Sequence, residues 1–402
     1  MKILFLTTIL LSKNCNGGEV ASQCFVDALS ELGHHVEVVG YLRKNDSLDS
    51  SNHKFNVVDE RYIETRKASK LTLAAWYVLS LVKGLAYSAA KYYSNAYIKL
   101  VKALLKTGEY DIVIVDHAQL GWLLRCISDR HRIITIAHNV EQSIYQEIYQ
   151  RSTHPIARWV YQREARLIKV SEDQLALTAQ QVWTLTESDA AYFSGIAGLG
   201  KAKVFGLPPT STATDKELPD KAFDVGLLGS WSWTANDEAL QWFLKSVYPH
   251  LPADLSIHVA GKGADWLTDQ YPNIHYRGVV PDAQVFLAEA RVVAIPTLSG
   301  GGIQIKTLDA IASGSLIVAT SVALRGIAKP PPMVAIAEQP REFADQLFKA
   351  VQMPSEQVAA DAKAWYRDRQ QKFLQDTHLA VNELYHHGTT SHPSPELVKK
   401  RT

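Results

Sequence analysis

Short runs of consecutive apolar residues recur along the chain, and most are followed by an amphipathic stretch. Residues 3–7 form the first run, which predicts a buried parallel strand. A turn with Asn16, Gly17 and Gly18 comes next. Apolar positions at Val20, Phe25, Ala28, Leu29 and Leu32 then predict a helix over 19–32, closed by Gly33. Further strands are predicted at 36–39, 111–115, 133–137 and 182–185, with a short helix opening at Ser188 and Asp189. Such alternation implies a parallel sheet covered on both faces.

The pattern stops over residues 206–222, where Pro208, Pro209 and Pro219 lie among Ser and Thr, a linker composition. It restarts with strands at 223–228, 255–260, 274–278, 292–296 and 316–319, and a helix at 236–247. The expected fold is α/β, with two Rossmann-like doubly wound parallel-sheet domains facing a cleft. The expected domains are 1–205 and 223–354, with C-terminal helices over 355–386 and a disordered tail over 387–402. A length of 402 residues suits two such domains.

Composition narrows the class. The chain is 47% hydrophobic and carries 42 basic against 41 acidic side chains, so it is not built to coat nucleic acid. The balance hides an asymmetry. Residues 61–106 hold nine basic side chains and one acidic one, Glu64, for a net +8. Within this segment, residues 71–90 are almost wholly apolar, with Lys83 and Gly84 inside. Two readings stand: a basic amphipathic insertion lying on an anionic membrane surface, or a helix pair covering its own sheet. Trp76, Tyr77, Tyr87, Tyr92, Tyr93 and Tyr97 are the interfacial residues the first reading would use. Cys15, Cys24 and Cys126 are too few and scattered for a disulfide framework, so a reducing compartment is expected. The apolar start reads as a first strand rather than a signal peptide. A cytoplasmic address follows, with peripheral attachment to the inner face of the membrane as its variant.

Candidate chemistry sits where predicted strands end. Gly17 and Gly18 follow the first strand and precede the first helix, where backbone amides can meet a phosphate; a plain turn explains them equally well. The stretch 296–310 is richer. Gly300, Gly301 and Gly302 follow a buried strand, and Ile303 leads into a helix carrying Lys306 and Asp309. Free backbone amides, a helix N-terminus and a lysine together make a cradle for a diphosphate. Asp309, three residues after Lys306, offers a carboxylate to ribose hydroxyls. The alternative is a loop with a solvated Lys–Asp pair. No metal motif stands out, since His34-His35 and His386-His387 are adjacent residues that point apart in a strand.

These strings resemble the GT-B glycosyltransferases, specifically the family-4 retaining enzymes. The resemblance rests on Gly300-Gly301-Gly302, Asp309-Ala310 and Gly314, on Gly229-Ser230-Trp231-Ser232-Trp233 with Asn236, and on Val259-Ala260-Gly261. Tyr276-Arg277-Gly278 through Asp282 and Ala137-His138-Asn139-Val140-Glu141 extend it. It spans roughly 1–350, is most specific over 223–320 and weakest over 41–110. Two departures matter. Family members carry two glutamates eight positions apart; here the second is Asp309, and the first falls on Gly301, which has no side chain.

The resemblance implies a nucleotide-diphosphate sugar as donor substrate and no obligatory cofactor or metal, the leaving diphosphate being neutralised by amides and lysine. The acceptor is expected to be lipid-linked or a polysaccharide. His138, at a strand end, would lie near the reacting sugar, or else simply pack in its turn. Asp116, His117 and Glu141 are acceptor-side candidates; Glu141 also reads as a helix cap. Ser230 and Lys262 would touch the diphosphate. Trp231 and Trp233 either line the cleft or fill a core. Rival readings are a nucleotide-sugar epimerase on the same fold and a non-catalytic nucleotide-sugar-binding partner.

Overall fold

The computed structural model describes residues 1–10, 17–48, 53–62, 68–210, 219–354 and 356–387. Asn16, Cys15 and most of the 387–402 tail lie outside the described residues, as do 211–218 of the linker.

The first sheet has seven strands: β1 (Lys2–Ile9), β2 (His35–Arg43), β3 (Lys54–Arg61), β4 (Ile112–Asp116), β5 (Arg132–Ala137), β6 (Gln181–Thr184) and β7 (Ala202–Val204). Its helices are α1 (Gly17–Glu31), α2 (Lys70–Lys83), α3 (Tyr87–Ala90), α4 (Asn95–Thr107), α5 (Glu141–Arg151), α6 (Pro155–Thr178) and α7 (Glu187–Ala197). The second sheet has six strands: β8 (Phe223–Leu228), β9 (Ile257–Ala260), β10 (Ile274–Gly278), β11 (Ala290–Ile295), β12 (Leu316–Ala319) and β13 (Val334–Ile336). With it come α8 (Thr234–Trp242), α9 (Ala283–Glu289), α10 (Ile305–Ala312), α11 (Pro340–Val351) and α12 (Glu356–His387).

Both sheets are wholly parallel. Their orders are β3-β2-β1-β4-β5-β6-β7 and β10-β9-β8-β11-β12-β13. Each therefore reverses direction once, between β1 and β4 and between β8 and β11. Ligands of doubly wound sheets bind outside the strand ends at such a reversal. The central strands are apolar on both faces: Leu4, Phe5 and Leu6 are fully buried, as are Val113, Ile114 and Val115. That is why they read as continuous apolar runs rather than alternating ones.

The basic segment is not an appendage. Its helices make the crossover from the edge strand β3 back to β4. Ser94 caps α4 by accepting the Tyr97 N–H (3.1 Å), and Tyr97, Val101 and Leu105 are buried against the sheet. The Tyr97 hydroxyl donates to the carbonyls of Thr7 and Val39 (2.8 Å each). Trp76, Tyr92 and Tyr97 are thus buried in the protein and cannot be interfacial anchors. Lysines 99, 102 and 106 form the outer face of α4. Among the described residues no helix is long and apolar enough to cross a membrane.

Helix α12 ties the halves together. It follows the second sheet but packs on the first. Phe373 meets Phe25 of α1 with ring centroids 5.1 Å apart, and Gln181 of β6 donates to the Ala380 carbonyl (2.9 Å). Arg369 donates to the carbonyls of Leu207, at the start of the linker, and Gly326, in the second domain. We expect Phe373→Ala, at 2% exposure, to lower stability by ~3–5 kcal/mol. Leu379→Ala, outward on the same helix, should stay within ~0.5 kcal/mol. Denaturant unfolding of both variants checks the pair.

Candidate active site at the facing strand ends

In the second domain the reversal point lies between the ends of β8 and β11. Ser230 follows β8, and its carbonyl accepts from Asn236 Nδ2 (3.0 Å). Asn236 Oδ1 accepts from Lys306 Nζ (3.0 Å). One chain of contacts thus links Ser230 to the second residue of α10 across the crevice. Burial lowers Lys306 to about 8, and no carboxylate among the described residues offsets its charge. Asp309 does not pair with it. Its Oδ1 accepts the Thr210 N–H and hydroxyl (2.8 Å each), and burial raises its carboxyl to about 6. The two helix neighbours therefore serve different partners: Lys306 the β8 loop, Asp309 the interdomain linker.

Lys262 is exposed on the turn after β9, and its carbonyl accepts the Trp231 N–H (2.8 Å). Trp231 is 4% exposed and donates Nε1 to the Ala260 carbonyl (2.9 Å), so it is scaffold rather than cleft lining. Trp233 projects outward. Gly261 is obligatory for this turn, since a Cβ there would lie 1.8 Å from the Gly229 carbonyl oxygen.

In the first domain the reversal point is occupied by Asp116, the last residue of β4 and fully buried. Thr7 of β1 donates to its Oδ2 (2.8 Å), as does Ser22 of α1 (2.6 Å). His138, just past β5, brings Nε2 to within 2.6 Å of Oδ1. The His117 ring stacks on His138 with centroids 4.1 Å apart and its Nε2 3.5 Å from Asp116. His117 holds φ at 80°, a costly value for a non-glycine residue. The two imidazoles and the hydroxyls hold the Asp116 carboxyl well below its usual range despite burial, while burial lowers His117 to about 4. Ligand atoms of Asp116, His117 and His138 lie within 4.8 Å of one another, a spacing that suits a cation. Both Asp116 oxygens are, however, already engaged.

With Nε2 facing a carboxylate, the imidazole proton is placed there, and Nδ1 is left as an acceptor. That Nδ1 is buried without a partner, as are Asn139 Oδ1, Gln119 Oε1 and Thr297 Oγ1. All four belong to segments that follow β4, β5 or β11. Such orphaned polar atoms need a partner the protein itself does not supply. Glu141 opens α5, and its carboxyl is raised by burial. It does not cap the helix. Glu172 of α6 does so, accepting the N–H groups of Glu141 (2.7 Å) and Gln142 (3.2 Å), and burial raises Glu172 to about 8.

The two sites face one another. Gly302 has φ 67°, and a Cβ there would lie 2.9 Å from the His138 carbonyl oxygen. Gly300 also has positive φ, at 125°. Gly301 is different: a Cβ would meet Ile144 of α5 at an ordinary 3.7 Å. Its missing side chain is therefore no backbone requirement. A Cβ on Gly17, which opens α1, would lie 3.5 Å from Ile305 at the start of α10, so α1 also borders the glycine turn. Gly18 continues α1 beside it. Ile303 packs beneath Gly326, which lies against the Leu185 carbonyl. Sequence reasoning missed Thr7, Ser22, Asn236, Thr210 and Glu172 as site residues; only Asn236 lay inside a motif.

Residues 222–352 match the family model described as glycosyl transferases group 1. The match spans the second domain, with its glycine turn, Lys306 and Asp309. No curated protein matches the sequence. Among solved structures it is similar to sucrose-phosphate synthase from Thermosynechococcus elongatus, at 14% identity and TM-score 0.65, covering 97% of this chain and 100% of that one. It is similar to WaaG, a glycosyltransferase involved in lipopolysaccharide biosynthesis, at 14% identity and TM-score 0.59, covering 95% and 99%. HepE from Anabaena, in complex with UDP, matches at 14% identity and TM-score 0.60, covering 95% and 100%. At these identities the structures establish the fold, which is GT-B.

Two expectations follow from this geometry. Gly302→Ala should cost ~1–3 kcal/mol through its positive φ and the His138 contact, whereas Gly301→Ala should stay within ~0.5 kcal/mol. Thermal unfolding distinguishes them. The second concerns pH. His117 binds a proton less readily folded than unfolded, so the unfolded state holds more protons between about pH 4 and 6.5. Stability must fall as pH is lowered through that window, and His117→Gln should flatten the slope in urea titrations.

Proposed function

We propose that the chain transfers a sugar from a nucleotide-diphosphate donor to a lipid-linked or polysaccharide acceptor, with retention of configuration. The observation that carries the donor reading is Lys306: a cation lowered by burial, at a helix N-terminus, with no carboxylate beside it. The diphosphate would lie on the Gly300–Gly302 turn, against Lys306 and the Ser230–Asn236 loop, with Lys262 at its rim. The turn's amides and Lys306 would stabilise the departing anion without a metal. Asp309 would exchange its Thr210 contacts for ribose hydroxyls.

On the other wall, His138 would offer Nδ1 to a hydroxyl of the donor sugar, its ring held by Asp116. His117 and Glu141 would line the acceptor side. No side chain here is placed as a covalent nucleophile, so the departing phosphate would assist attack from its own face. The Gly302–His138 contact closes the cleft, and parting it would admit the donor. HepE is complexed with UDP, and WaaG acts in lipopolysaccharide biosynthesis. Both support a uridine diphosphate sugar and a lipid-anchored glycan as first choices. The proposed address is cytoplasmic, peripheral to the inner face of the membrane.

A thermal-shift screen across nucleotide sugars identifies the donor, and product analysis separates transfer from epimerisation or mere binding. Calorimetry with that donor tests the site. Affinity should fall as pH rises through about 8, where Lys306 loses its proton. Lys306→Gln should weaken binding at least ~tenfold and abolish that pH dependence. Asp309→Ala should also weaken it. Unchanged affinity in both variants rejects the assignment.

A further inference from the structure

Helix α2 is apolar on the outside. Of its fourteen residues only Trp76 and Ser80 are buried. Leu71 is 84% exposed, Val82 72%, Val78 56% and Leu81 50%. With Ala74 and Ala75, also exposed, they recur at helical spacing as one stripe. The helix is deliberately ended: Ser69 accepts the Thr72 N–H (3.1 Å), and Gly84 takes φ 64° at the other end. It is therefore a well-formed helix with its apolar face turned away from the protein.

A second exposed apolar pair lies on α6. Arg163 donates to Ser80 Oγ (3.0 Å) and to the Ser80 carbonyl (3.2 Å), fixing α2 beside α6. Trp159 lies one turn before Arg163 on the same face, with Ile156 three residues earlier. They are 57% and 68% exposed. An exposed apolar stripe of this kind marks a contact with another body. Its charge says which. No acidic residue occurs from 70 to 106. Lys70 and Lys83 sit at the two ends of α2, and Lys99, Lys102 and Lys106 are exposed on α4.

We infer that α2 and the first turns of α6 dock on an anionic lipid bilayer. Leu71, Val78, Leu81, Val82, Ile156 and Trp159 enter the interface, and Lys70 reaches the headgroups along its aliphatic stem. The inference deepens the membrane-facing reading above and rests on it for the acceptor, but not for the contact itself. Helix α6 packs along α5, whose Ile144 borders the glycine turn. Docking on this face would thus hold the acceptor wall of the cleft near the bilayer.

Sedimentation of the full chain with phosphatidylcholine vesicles, with and without phosphatidylglycerol, tests this. The wild type should sediment with the anionic vesicles and release with salt. The double variant Leu81→Glu, Val82→Glu, and separately Trp159→Ala, should lower the partition coefficient at least ~tenfold while thermal unfolding stays unchanged. Lys70→Glu with Lys83→Glu, which leaves the apolar stripe intact, should weaken binding to anionic vesicles only. The inference is overturned if the wild type stays in solution with anionic vesicles, or if the variants sediment as it does. It is equally overturned if the wild type is a dimer that the double variant dissociates without any vesicle binding. UDP affinity, measured alongside, should be the same in wild type and variants. Loss of UDP binding with vesicle binding intact would reject the donor reading and leave this one standing.

Discussion

Lys306 is the group around which the second domain makes physical sense. A shift to about 8 corresponds to roughly 3 kcal/mol of resistance to charging. The positive end of α10 adds about 0.3–1 kcal/mol more. Burial therefore dominates, and the helix makes matters worse rather than better. A protein concerned only with stability would place a carboxylate here or an apolar residue. Instead the lysine's one hydrogen-bond partner is a neutral amide, Asn236, itself anchored to the Ser230 carbonyl. The arrangement fixes where the cation points and leaves its charge unanswered. A dianionic ligand at the glycine turn, as proposed, would remove both costs at once.

The first domain solves the opposite problem. Asp116 is a fully buried carboxylate that accepts from Thr7, Ser22 and His138, with His117 Nε2 3.5 Å away. These groups come from β1, α1 and the segments just past β4 and β5, so the charge knits together the elements that meet at the reversal of the sheet. The result is directional. With its Nε2 committed, His138 presents a single acceptor nitrogen. The strained φ of His117 belongs to the same cluster, because the stack of rings over Asp116 requires the chain to turn sharply at the end of β4. One domain thus withholds a counter-charge, while the other surrounds its charge with donors and leaves His138 Nδ1 without a partner.

Much of this was legible in the sequence, and the misses have causes. The central strands declare themselves because burial on both faces leaves no polar alternation. The edge strand β3 reads Lys-Phe-Asn-Val-Val-Asp-Glu-Arg, with half its surface in solvent, and gives no apolar run. Helix α5 carries Ile144, Tyr145, Ile148 and Tyr149 at helical spacing in only eleven residues and buries none of them. The glycine turn and Lys306 were visible because backbone geometry and charge are local properties. The Asp116 hub was not. Thr7, Ser22, Asp116 and His138 are far apart in sequence and meet only through strand order, and a buried Ser or Thr looks like any other. Gly301 shows the reverse. In sequence it reads as part of a uniform glycine triplet, yet only its neighbours need glycine for the backbone.

The contacts across the cleft are close, which raises the question of how the domains part. The chain crosses between them twice, at the linker and at the start of α12, so any opening must bend these two strands of chain together. Arg369 sits between them, holding Leu207 on one side and Gly326 on the other, with its charge lowered to about 10 by burial. Phe373, one turn further on, is committed to the aromatic cluster of Phe25, Trp183 and Phe205. Helix α12 therefore moves with the first domain. The lightly held interface is the one at Gly302, where backbone meets backbone with no ion pair across it among the described residues. Were the domains to part, Arg369 would be the pivot and the glycine turn the parting edge, so the residues proposed to cradle the donor would also gate its arrival.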